Sequence, residues 1–299
     1  MIAVTGHGHV VLGEGFEARC DPAPWVRVRK SRKYMGVQDD LAVVATGRAL
    51  AQAGLGEDAG HPLGERAGLY LAVGYIPFER RHADPVLAHS LDDAGAFSME
   101  RFAADGYRKA HPLVTFRCLP NMPAYHVSAS FDVQGPYFVG YPGAAQVYQA
   151  LEEACFALEA GSVDVALVGG VACQRNFLVE HHFQRLVPPV SAESLRDAGA
   201  VVVLEREAAA TARSAPVLAR LTSMTLDYTA FDPRDGLPRH AESAQAGEAP
   251  AVPIGLELGP ASLFWALGMA LERRVGPESF VHRLESRDGI RAESRWRLW

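Results

Sequence analysis

Cysteine is scarce in this chain: Cys20, Cys118, Cys155 and Cys173 are its four, far apart and without a CxxC pair. That spacing offers no structural zinc frame, and buried reduced thiols are the expectation. The histidine pairs His7/His9 and His181/His182 lack a matching cysteine or acidic spacing, so surface or capping roles are expected and no metal. Positive charge is not in excess either, with 29 Lys and Arg against 35 Asp and Glu and a net charge of −6. This argues against a nucleic-acid surface. Arg27, Arg29, Lys30, Arg32 and Lys33 read as a local, solvated basic patch. No apolar run approaches the roughly 20 residues of a membrane span; Ala200–Leu204 is brief and flanked by Arg196, Asp197 and Glu205. The opening residues lack the basic and apolar regions of a secretory signal, so a cytoplasmic protein is expected. Gly6 and Gly8 lack the third glycine and the later acidic residue of a dinucleotide fingerprint, and no cofactor is implied.

What remains is an ordinary globular composition, 48% hydrophobic and 21% charged. Ile2–Val4 reads as a short strand. Gln38–Leu55 reads as a helix, with Asp39 and Asp40 in its first turn and Gly54 near its end. Leu69–Val73 is a buried strand, and Met99–Tyr107 can form a helix. In Ala144–Ala160, Val147, Leu151, Ala154 and Leu158 recur at helical spacing and Gly161 stops the run. Strands follow at Val163–Val168 and Ala200–Glu205. The order strand, helix, strand indicates an α/β protein. From Ala230 to Pro253 the periodicity disappears and a loop or linker is expected. Pro260 then opens a helix with Leu263, Phe264, Leu267 and Leu271 on one face, and Phe280–Leu284 with Ile290–Trp299 form a hairpin around Asp288-Gly289.

Thr5-Gly6-His7-Gly8, Asn121-Met122, His126-Val127-Ser128, Gly135-Pro136, the stretch Gly161–Gly170 and Arg196-Asp197-Ala198-Gly199-Ala200 occur in an order and spacing that resembles the β-ketoacyl synthase family. The match runs, with interruptions, from Met1 to about Leu226. The resemblance implies a thiolase-like, layered α-β-α-β-α fold: a ketosynthase-like half over residues 1–226, a linker over 227–253, and the remnant of a shortened second half over 254–299.

In active members of that family a nucleophilic cysteine sits at the N-terminus of a buried helix, where amides and helix dipole stabilise thiolate and oxyanion. Counting from Gly135-Pro136 and back from Gly169-Gly170 puts Ala144 there, and a methyl group cannot attack a thioester. Gly255-Leu256-Glu257-Leu258-Gly259 resembles the turn that carries one family histidine, with Leu256 in its place and Ala251 in the place of the family lysine. The motif of the other histidine is absent, and His240 does not match it. The resemblance therefore narrows to the chain-length factors, inactive partners of active ketosynthases in type II polyketide systems, and to the short forms of aryl-polyene pathways. It implies a heterodimer with an active ketosynthase and, through that complex, work with an acyl carrier protein. It also places the interface at Tyr137, Phe138 and Tyr141. Asp105–Pro112 resembles the family's loop entrance, after which Val114, with Phe116 close behind, would face the acyl tunnel; the alternative is that both are core residues of a β-like segment. A divergent thiolase-fold acyltransferase or hydrolase with a different nucleophile, Cys118 or Cys173, is the competing reading.

Overall fold

The computed structural model describes residues 1–186, 189–230, 241–247, 249–250, 256–273, 278–286 and 289–299, excluding the side chains of residues 115, 118, 249 and 250. Its first strands are β1 (Ile2–Leu12), β2 (Ala67–Val73), β3 (Tyr137–Gly140), β4 (Val165–Ala172) and β5 (Asp197–Arg206). The second half supplies β6 (Ala219–Tyr228), β7 (Ala241–Ala246), β8 (Ala249–Pro250), β9 (Glu278–Glu285) and β10 (Ile290–Leu298). They run in the order β3-β2-β4-β5-β1-β6-β10-β9-β7-β8, and the halves join where Ala3 and Val4 pair with Arg220 and Ala219. The helices are α1 (Val37–Ala53), α2 (Arg80–Ala88), α3 (Met99–Ala104), α4 (Val114–Cys118), α5 (Met122–Phe131), α6 (Gln146–Glu159), α7 (Phe177–Phe183), α8 (Glu207–Ala212) and α9 (Ser262–Arg273).

The first half-sheet is apolar on both faces because it is covered on both. Val201, Val202, Val203 and Leu204 of β5 are all buried, and alternate members fall into two different cores. This is the continuous hydrophobic run expected of a sheet sandwiched by helices. On one face α1 and α5 supply Leu41, Val44, Ala124 and Val127. On the other, α6 and α9 supply Leu151, Leu158, Phe264 and Leu267, which also meet Phe280, Leu284 and Trp296 of β9 and β10. Helices α6 and α9 thus form a central layer between the two half-sheets, and each fully buried Leu or Phe there contributes about 1.5–3 kcal/mol. In β10, Ile290, Ala292, Ser294, Trp296 and Leu298 are buried while Arg291, Arg295 and Arg297 are exposed. That strict alternation keeps one face of the second half-sheet polar.

The expected helices and the terminal hairpin are present, with shifted ends. Strand β1 runs on to Leu12, well past Val4, because its glycine and histidine positions carry no apolar signal yet still pair with β5 along its length. Met99–Tyr107 divides into α3 and a separate 3-10 turn at Gly106–Lys109. The expected loop from Ala230 to Pro253 contains β7, which pairs with β9 over Ala241–Ala246. Its small and polar residues gave no strand pattern; backbone pairing with β9 places it. His240, Ala251 and residues 231–240 lie outside the described residues.

Candidate functional site

Strand β3 ends at Gly140 and α6 begins at Gln146, so the intervening turn presents Ala144 just ahead of a buried helix. The Tyr148 N–H donates to Ala145 O at 3.0 Å. Gly143 has φ 115°, a conformation that side chains disfavour, and it brings the backbone round to this position. Strand, turn and buried helix therefore follow one another here, and the Ala144 side chain on the turn is a methyl group, which is not a nucleophile.

Ala144 faces a cavity of about 30 Å³ shared by Tyr75, Gln174, His182, Glu257 and Ser286. Small-molecule pockets run to about 300–1,000 Å³, so this one has room for water and none for an acyl chain. His182 of α7 meets the Tyr75 hydroxyl, Nε2 to Oη 3.3 Å. Both histidines lie in the last turn of α7, as a surface or capping role implies, with His181 exposed and His182 half-buried at the cavity. Ser286 contributes a buried hydroxyl with no hydrogen-bond partner among the described residues. Leu256 packs against the core between the half-sheets. Next to it, the Glu257 N–H donates to Ser194 O and its carbonyl accepts from the Arg196 N–H, which fixes the turn against the Ser194–Arg196 segment.

No described cysteine is activated. Burial pushes the Cys20 and Cys155 thiols up to about 12. Burial and the neighbouring Asp197 push Cys173 up as well. Cys118 lies in α4, and its side chain is outside the described residues.

Val114 and Phe116 also lie in α4, a short helix in place of the β-like segment considered from sequence. Phe116 is exposed and sits edge-on to Tyr34, ring centroids 5.4 Å apart. Neither residue borders the Ala144 cavity. Tyr137 and Phe138 lie on β3, the terminal strand of the sheet, with Tyr141 just beyond; Tyr137 is 71% exposed, Tyr141 is exposed, and Phe138 is half-buried against the central core. A buried relay went unread in the sequence. The Tyr148 hydroxyl lies 2.8 Å from His282 Nδ1, and His282 Nε2 lies 2.7 Å from Glu242, linking α6 to β9 and β7. Its members are scattered along the chain, and only the folded sheet assembles them.

The family pattern for the beta-ketoacyl synthase N-terminal domain matches residues 12–210, well over half of the chain. The chain belongs to the β-ketoacyl synthase family. It is 27% identical over 203 residues to nodulation protein E of Rhizobium sp. (strain N33), covering 64% of this chain and 46% of that protein. The same protein of Rhizobium meliloti (strain 1021) is 27% identical over 202 residues, with the same coverage. The chain thus spans about half the length of the curated relatives it matches. Among solved structures, one described as a type II PKS acyl-carrier protein in complex with its ketosynthase bound to the hexaketide superposes with a TM-score of 0.70 at 14% identity. The match covers 100% of this chain and 99% of that one. The ishigamide ketosynthase/chain length factor gives a TM-score of 0.56 at 19% identity over 79% of this chain and 64% of that one. A β-ketoacyl synthase from Burkholderia phymatum STM815 gives 0.55 at 19% over 76% and 64%. These structural likenesses establish the layered ketosynthase fold, as expected from the sequence motifs.

Proposed function

We propose that the chain is a non-catalytic ketosynthase subunit of the chain-length-factor type, which pairs with an active β-ketoacyl synthase and shapes the tunnel for the growing acyl chain. Ala144 carries this reading: the turn and helix that would activate a nucleophile are kept, and the reacting atom is gone. Losing chemistry while keeping architecture fits selection for shape and assembly. The similarity to a ketosynthase/chain length factor fold is consistent with it. The acyl carrier protein would then be engaged by the heterodimer, and Val114 with Phe116 would reach the tunnel from the partner-facing side. In this reading the shortened second half resembles that of the short chain-length factors of aryl-polyene systems.

Co-expression with an active ketosynthase tests this. A 1:1 heterodimer that alone makes full-length product is expected, because an obligate partner subunit often lacks a stable folded form by itself. A chain that purifies folded and never associates contradicts the reading. An enzyme with a different nucleophile is the second reading, and Ser286 is the group that favours it, since its unpartnered hydroxyl lines the same cavity. Covalent acyl labelling lost in Ser286→Ala would support that alternative.

A further inference from the structure

Strand β1 contains Gly6-His7-Gly8-His9, and alternate residues of a strand face opposite sides. A register shift between Val4 and Gly6 in the pairing with β5 inserts one residue and exchanges the faces beyond it. Gly6 and Gly8 consequently turn to α1, where a Cβ on either would collide with the carbonyls of Ala49 and Ala45. His7 and His9 turn the other way, to α9. There they meet Gly268: a Cβ at that position would lie 3.1 Å from His7 Nδ1 and 3.2 Å from His9 Nδ1. Both ring nitrogens converge over the one residue of α9 that has no side chain. The imidazoles are parallel, 7° between planes and 6.0 Å between centroids.

One helical turn after Gly268, Glu272 shares its face of α9 and brings Oε1 to 3.9 Å from His9 Nδ1. Donor atoms of His7, His9 and Glu272 all lie within 4.8 Å of one another. The 3.9 Å separation is too long for a hydrogen bond, and His9 Nδ1 is buried with no hydrogen-bond partner among the described residues. A buried acceptor or donor left in that state is costly unless something else satisfies it. The neighbouring cation, Arg48 of α1, is engaged elsewhere: it donates to the His9 carbonyl and forms a two-pronged pair with Glu17.

We propose that His7, His9 and Glu272 bind a divalent transition-metal ion, zinc in type, between β1 and α9. Two imidazoles and one carboxylate are a zinc donor set that leaves a position for water. Bonds of about 2.0–2.2 Å at a tetrahedral ion put donor atoms about 3.4 Å apart. Reaching that from the present spacing needs a swing of Glu272, whose side chain is 48% exposed, and a rotation of at least one imidazole out of the parallel arrangement, since each ring nitrogen binds an ion in its own ring plane. The ion would clamp the central helical layer onto β1, at the opposite end of α9 from the Pro260 turn that borders the Ala144 cavity. The site was dismissed from sequence because Glu272 lies at the far end of the chain from the histidines, and no local spacing reveals it.

The full-length protein, stripped with a chelator, should be titrated with Co2+ by visible absorption and with Zn2+ by calorimetry. One site is expected, with Kd on the order of 1 μM or tighter and with Zn2+ displacing Co2+. Glu272→Gln, at an exposed helix position that leaves the fold intact, and His9→Ala should each weaken binding by more than the roughly 10–100-fold lost with an outer-shell partner. Zn2+ should also raise the unfolding temperature of the wild type and not of Glu272→Gln. His181→Ala, with an exposed histidine elsewhere, should bind as the wild type does. Absence of saturable uptake at about 100 μM metal, or equal affinity in the wild type and Glu272→Gln, overturns the proposal.

Discussion

Tyr137→Asp separates assembly from folding. Strand β3 pairs in parallel with β2 from Leu69↔Tyr137 to Ala72↔Gly140 and ends the sheet, so its other edge is open among the described residues. Tyr137 is 71% exposed in the single chain. Substitutions at such surface positions stay within about 0.5 kcal/mol, or about 1–2 °C in unfolding temperature for a domain of this size. Phe138 is unsuitable for the same test, because it packs against the central core and a charge there would disturb folding and assembly together. If Tyr137 anchors the partner, removing it costs about 2 kcal/mol or more, roughly 30-fold in Kd. A buried carboxylate adds to that. Titrating a labelled ketosynthase with wild type and Tyr137→Asp, with thermal unfolding of each free chain, measures both quantities. Unchanged affinity with an unchanged melt refutes the interface assignment.

Tyr148→Phe removes the hydroxyl from the relay to His282 and should lower stability by about 1–3 kcal/mol; an unchanged urea midpoint at constant slope would contradict it. Asp39 accepts the Gly36 N–H at 2.6 Å at the start of α1, and burial raises its carboxyl to about 8 from 3.8. The native state therefore keeps a proton that the unfolded chain has released between those values, and stability falls as pH rises through that window. Nearby His126, lowered to about 4 by burial, acts oppositely below pH 6.5, so pH 6.5 to 8 isolates Asp39. Asp39→Asn should flatten the urea-midpoint profile there, and a profile parallel to the wild type would refute the assignment. Val114→Trp in the reconstituted pair should shorten the product without impairing assembly if Val114 faces the tunnel; a stability loss of about 1–3 kcal/mol with unchanged product length marks it as core.

Helix α1 was legible because its start and stop are written locally, in Asp39, Asp40 and Gly54, which adopts φ 65°. The β9-β10 hairpin was legible because its alternation is strict. Most of β1 was not, since His7 and His9 occupy positions where a strand usually shows valine or leucine, and backbone contact with α1 replaces side-chain packing opposite. At the site, the turn that carries Ala144 could be located by counting between glycines, because the segment from β3 to α6 is contiguous. The convergence of His182, Glu257 and Ser286 around it could not, since three separate segments meet there only after the half-sheets have packed. The same applies to Tyr148, His282 and Glu242, whose pairing depends on the register of β7 and β9.

The most direct measurement is intact-mass analysis of the co-purified pair after incubation with acyl-loaded carrier protein. The account predicts an acyl adduct on the partner ketosynthase and an unmodified mass for this chain. A stoichiometric acyl adduct on this chain, whether at Ser286 or elsewhere, would contradict it.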